Sequence, residues 1–157
     1  MVLQSSLGLY NEYINKYLSQ LPIHFDGCFS IDLIPNEIFE RKNFILVINT
    51  ANSTQKVGHF VTLIRKENLC ILLDPLAINM YRDYFSFKCG LFLHYLTHPI
   101  QSPLSNYCGY YAILFVMYFN FRPNFHLLFI RNLNVNALLQ NDRICKYYIE
   151  KIENTII

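Results

Sequence analysis

The sequence predicts an α+β domain, a small central sheet flanked by helices, and three observations carry that expectation. Apolar residues at helical spacing mark a helix near the N-terminus. Three short β-rich runs follow between residues 43 and 74, and a proline-broken loop then leads into a long apolar stretch with the composition of a buried central helix. The length of 157 residues implies one domain over residues 1–157, large enough to bury a sizeable core. A hydrophobic fraction of 53% argues against disorder, and 13 basic against 11 acidic residues leave no electrostatic footprint for nucleic acid.

Taken in order, Tyr10, Tyr13, Ile14, Tyr17, Leu18 and Leu21 fall on one helical face. They predict an amphipathic helix capped near Ser5 or Ser6 and ending before Pro22. Phe25-Asp26-Gly27 reads as a turn, and Leu33 to Glu40, punctuated by Pro35, as a loop or short helix. Asn43 to Asn49 (NFILVIN) reads as a central strand, and His59 to Arg65 and Leu69 to Asp74 as two more. Asp83 to Leu96 is ambiguous, because Gly90 weakens any helix there. Asn132 to Ile152 reads as a closing helix with Leu138, Leu139, Ile144, Tyr148, Ile149 and Ile152 on its apolar side.

The turn between the second and third runs sets a register. A two-residue turn at Glu67-Asn68 pairs Lys66 with Leu69 and hence Val61 with Asp74. Asp74 then becomes the diagonal neighbour of His59, roughly 7–8 Å away between backbone positions and within side-chain reach. A slip of one residue would send Asp74 to the other face.

The stretch IQSPLSNYCGYYAILFVMYFNF, Ile100 to Phe121, holds the sharpest chemical signal. Cys108-Gly109 stands where polar loop gives way to apolar helix. A cysteine at a helix N-terminus faces the positive end of the helix dipole, which favours the nucleophilic thiolate. The alternative is a buried structural thiol. With His59 as base and Asp74 fixing the ring tautomer, Cys108 completes the parts of a cysteine-nucleophile triad. Gln101, seven residues earlier, supplies an amide for an oxyanion, with the Cys108 backbone N–H as second donor. Read singly, His59 is a strand-end histidine, Asp74 a turn residue and Gln101 a loop amide. A metal reading through Cys89, His94, His98 and Cys70 matches no common zinc module, so no metal is expected.

Five cysteines without a CxxC pair, and an N-terminus lacking a basic region followed by an apolar run, predict reduced thiols and no secretion signal. The unbroken apolar part of the central helix, Tyr110 to Phe119, is too short for a membrane span.

The blocks Ile48-Asn49-Thr50-Ala51, Gly58-His59-Phe60, Leu73-Asp74-Pro75 and Gln101 to Gly109 (QSPLSNYCG) together resemble adenain, the adenovirus-type maturation protease family. The likeness spans about Asn43 to Phe121, half of the chain, and Q-x-P-x-S-x-x-C-G is its most specific part. It implies a papain-like cysteine protease fold of adenain type, with catalytic His59, Asp74, Gln101 and Cys108. It also implies cleavage of viral precursor (capsid or core) polypeptides during virion maturation, at small-residue sites around glycine. The expected location is the virion and the host nucleus or cytoplasm, with no cofactor required for the chemistry. In that family a capsid-derived peptide activates through a disulfide to a cysteine upstream of the glutamine. Cys89 lies within about one position of the matching place, which makes it the candidate for that link. DNA, the family's other activator, finds little support in a near-neutral chain.

The sequence departs from the family at two places. Phe60 stands where tryptophan is usual, and Asp74 replaces the glutamate of adenain, as in the SUMO proteases of the wider superfamily. Asp74 therefore keeps open an isopeptidase acting on ubiquitin-like modifiers, and a catalytically silent interaction protein on the same fold is the third reading.

Overall fold

A computed structural model describes residues 10–55, 58–121, 134 and 136–156. Its architecture is α+β, a five-stranded mixed sheet flanked by helices. The elements are α1 (Asn11–Ser19), β1 (Gly27–Ser30), a 3-10 turn (Ile31–Leu33), α2 (Asn36–Phe39), β2 (Asn43–Asn49), β3 (Phe60–Lys66) and β4 (Leu69–Leu73). They continue with α3 (Arg82–Cys89), β5 (Leu93–Tyr95), α4 (Cys108–Phe121) and α5 (Leu138–Ile156). The strands lie side by side in chain order, with β1 parallel to β2, β2-β3-β4 antiparallel, and β5 parallel to β4.

Alternation along β2 and β3 splits the core in two. Ile45, Val47, Phe60 and Ile64 point to the face covered by α1, α4 and α5, where they meet Tyr111, Ile113, Phe115 and Val116. Phe44, Leu46, Ile48, Val61 and Leu63 point to the other face, against Phe39 of α2 and Phe85 of α3. Burial on both faces explains why NFILVIN is apolar without alternation. Helix α4 is apolar all round for the same reason, with Gly109 to Tyr118 buried without interruption.

The predicted register holds. Lys66 pairs with Leu69 and Thr62 with Leu73, around a turn in which Glu67 takes a φ of 53°. Helix α1 buries Ile14 and Leu18 as its spacing requires, and the start predicted near Ser5 or Ser6 lies outside the described residues. The Asn15 side chain acts as a surrogate strand beside β1, accepting from the Cys28 N–H at 2.7 Å and donating to its carbonyl at 3.0 Å.

Several elements differ from expectation. Gly27, read as part of a turn, opens β1, whose four residues pair in parallel with Leu46 to Asn49. Gly90 does not weaken a helix from within. It caps α3 in the left-handed conformation at φ 63°, and β5 follows. In α5 the buried face runs through Asn141, Asp142, Cys145 and Ile149, while Leu139, expected inside, is 60% exposed. Asn132 lies outside the described residues, as does the side chain of Ile152. Among the described residues no helix is long and apolar enough to cross a membrane.

Candidate active site

Two close approaches set the site. Where β2 leaves the sheet, Asn49 folds its Oδ1 back onto the Ala51 N–H at 3.0 Å, and the Thr50 N–H donates to the His59 carbonyl at 2.8 Å. Gly58 packs against this bend. A Cβ there would overlap both the Asn49 Oδ1 and the Ala51 Cβ, so the step before His59 requires glycine. The chain then enters β3 with Phe60 buried under α4 and His59 at the strand's edge.

One residue beyond the end of β4, Asp74 faces His59. The His59 Nε2 and Asp74 Oδ1 are 2.6 Å apart, with the Asp74 side chain 3% and the His59 side chain 20% exposed. The same carboxylate organises the turn that follows. Its Oδ1 accepts from the Leu76 N–H and its Oδ2 from the Asn79 N–H, each at 2.9 Å. Ala77 and Asn79 both adopt positive φ in this turn, and Asn79 anchors it by donating to the Leu96 carbonyl at 2.7 Å. Burial works against the carboxylate, but the His59 hydrogen bond and charge and the two N–H donors overcome it and hold Asp74 below its ordinary value.

Nε2 is committed to Asp74, and the Cys108 side chain acts on the same ring. Burial lowers the basicity of the imidazole, yet the hydrogen bonds to Asp74 and Cys108, with their charges, raise it to about 9. Cys108 is the first residue of α4 and half-buried, unlike the four other cysteines, all buried. Its backbone N–H has no acceptor within the helix. Acid and thiol thus both act on one imidazole.

Gln101 approaches from the adjoining loop. The Ile100 and Gln101 N–H groups both donate to the Pro75 carbonyl, at 2.8 and 3.0 Å, binding this loop to the residue after Asp74. The Gln101 side chain is buried; its Nε2 donates to the Ser105 carbonyl at 3.0 Å, while its Oε1 has no partner. An amide nitrogen carries two hydrogens, so one donor remains.

Helix α5 supplies residues that the sequence did not point to. Asn141 Nδ2 donates to the Ile100 carbonyl at 2.9 Å. Asp142 Oδ1 accepts from the Tyr111 hydroxyl at 2.9 Å and from the Ser102 N–H at 3.4 Å. Burial raises Asp142 above the usual carboxylate range, only partly offset by Ser105, Tyr111 and Ser102. Asn141 and Asp142 clamp the Gln101 loop from behind. Their signal in the sequence is two adjacent polar residues on the face that continues through Cys145 and Ile149.

Beside His59 and Asp74 opens a small apolar pocket, with a cavity volume of about 70 Å³, lined in part by Thr50, Val61, Ile78, Met80 and Tyr81. Cys89, expected to offer its thiol to a peptide, is turned inward. It is 5% exposed, with its sulfur 3.3 Å from that of Cys70, because it shares with Phe85 the face of α3 that packs on the sheet. His94 and His98 are exposed, and among the described residues no group of three or more His, Cys, Asp or Glu is placed to hold a metal ion. No protein-family model matches the chain, and no curated protein matches its sequence.

Proposed function

We propose that the protein is a cysteine endopeptidase of adenain type, acting on virus-encoded precursor polypeptides. The observation that carries this reading is the His59–Asp74 pair at 2.6 Å, with Cys108, the first residue of a buried helix, acting on the same imidazole. His59 accepts the thiol proton, and the Cys108 sulfur attacks the scissile carbonyl carbon. The tetrahedral oxyanion is held by the Cys108 N–H and the remaining Gln101 amide hydrogen. His59 then protonates the leaving amine and deprotonates the water that hydrolyses the thioester. Asp74 keeps the ring oriented and stabilises it when charged. The apolar pocket beside the imidazole is suited to a substrate side chain.

The decisive measurement is cleavage of capsid and core precursors encoded alongside this chain, with Cys108 tracked by an electrophilic peptide probe. Cleavage around glycine, lost in Cys108→Ala while Cys28, Cys70, Cys89 and Cys145 stay dispensable, is the expected result. Activity that survives Cys108→Ala overturns the assignment. Asp74 as the orienting acid favours a second substrate class, modifiers ending in Gly-Gly. Turnover of such a modifier and none of the precursors would assign the site to that class.

A further inference from the structure

Away from Cys108, two more thiols meet at the sheet face covered by α3. Cys70, the second residue of β4, and Cys89, the last residue of α3, have their sulfurs 3.3 Å apart, and both are free. The Cys70 thiol donates to the Cys89 sulfur, and the Arg65 Nη1 donates to the Cys89 carbonyl at 3.3 Å. The Cys70 hydrogen bond and the Arg65 charge outweigh burial and hold the Cys89 thiol below its ordinary value, whereas Cys70 is pushed far up. Cys70 is fully buried and Cys89 is 5% exposed, so Cys89 is the sulfur that a small oxidant reaches first.

We propose that Cys70 and Cys89 are a peroxide-sensitive pair that closes to an intramolecular disulfide, stapling the C-terminal end of α3 to β4. A disulfide of about 2.0 Å needs the sulfurs to approach by roughly 1.3 Å. Cys89 is the last residue of α3, so the approach is confined to the end of the helix. Cys89 thiolate attacks one oxygen of hydrogen peroxide and breaks the O–O bond, and the hydroxide released takes up a proton as water. The Cys70 sulfur then attacks the Cys89 sulfenic acid, and its proton leaves with the sulfenic hydroxyl as a second water. Two thiols lose two electrons and the peroxide gains them. The loop so closed contains Asp74 and Asn79, so the bond pins the segment that holds the imidazole. This proposal is independent of the peptidase reading.

The test uses the full chain carrying Cys108→Ala, so that peroxide chemistry at that more accessible thiol does not intrude. After peroxide treatment, intact mass should fall by two hydrogens and recover with dithiothreitol. Peptide mapping should show Cys70 joined to Cys89, and the melting temperature should rise by about 5–10 °C. In Cys70→Ser, dimedone should trap Cys89 as the sulfenic acid. Recovery of both thiols free after treatment, or a cross-link mapping to any other pair, overturns the proposal. The mapping needs no change at either residue, so it decides the question even where Cys70→Ser fails to fold.

Discussion

The Gln101 N–H donates to the Pro75 carbonyl at 3.0 Å beside the Ile100 N–H at 2.8 Å, so the Gln101 loop and the Asp74 turn are joined through backbone. Imidazole, acid, amide and thiol come from separate stretches of chain, yet the amide loop is tied to the acid turn by bonds that involve none of these four side chains. Mutations at each group therefore have separable consequences.

The imidazole should report its partners by titration. His59 is raised from 6.5 to about 9 against the opposing effect of burial, through Asp74 and Cys108. Its ring signals by NMR should move to a lower midpoint in Cys108→Ala, and lower again in Asp74→Asn. A folded value above the unfolded one contributes stability that is complete below 6.5 and is lost as pH rises through about 9. Asp74, lowered from 3.8, contributes above that value and loses its contribution as pH falls through its folded value. The stability gap between wild type and His59→Gln, measured by urea unfolding, should be widest between 3.8 and 6.5 and shrink towards 9.

Asp74→Asn should do two kinds of damage. The carboxylate accepts from His59, Leu76 and Asn79 at once, and an amide with a single oxygen cannot replace both of its oxygens. Turnover should fall by about 10²–10⁴ as the imidazole loses its lock. Unfolding should become easier by about 1–3 kcal/mol from the orphaned turn N–H. A neutral outcome in both would show that Asp74 orients nothing.

Gln101→Ala and Asn141→Ala should be told apart by kinetics. Loss of an oxyanion donor acts on the transition state alone, so Gln101→Ala should lower kcat by about 10²–10³ with KM nearly unchanged. Labelling of Cys108 by a small alkylating agent should persist. Asn141→Ala removes the side-chain bond to the Ile100 carbonyl together with those to the Asn134 N–H and carbonyl. It should cost about 1–3 kcal/mol of stability and move kcat and KM together as the loop loosens. Matching profiles for the two variants would place Gln101 in a purely structural role.

Gly58→Ala tests the bend behind the imidazole. The added methyl meets a side-chain oxygen and a Cβ on a neighbouring turn, and Asn49 is itself held by Asn11 at 3.1 Å. The expected cost is about 1–3 kcal/mol in thermal or urea unfolding, with a loss of turnover as His59 shifts. Wild-type stability and rate would show that the turn can open without disturbing the ring.

What could be read from the sequence followed the range of the forces. The β3-β4 hairpin was legible because two residues, Glu67 and Asn68, fix its register locally, and that register brings Asp74 to His59. Cys108 was legible because loop and helix have opposite compositions at that junction. By contrast, β1 and β5 have four and three residues and pair in parallel with their neighbours across intervening helices and not through a tight turn, so nothing in their own sequence announces them. The inward turn of Cys89 depends on where α3 packs, and the clamp on the Gln101 loop depends on α5, some forty residues away in the chain.

That last dependence orders events in time. A ribosome finishes His59, Asp74, Gln101 and Cys108 before it begins α5, so the nascent chain holds all four residues while the Ile100 carbonyl and the Ser102 N–H still lack their partners on Asn141 and Asp142. The loop that carries Gln101 is therefore held from behind only when α5, the last element made, docks on it.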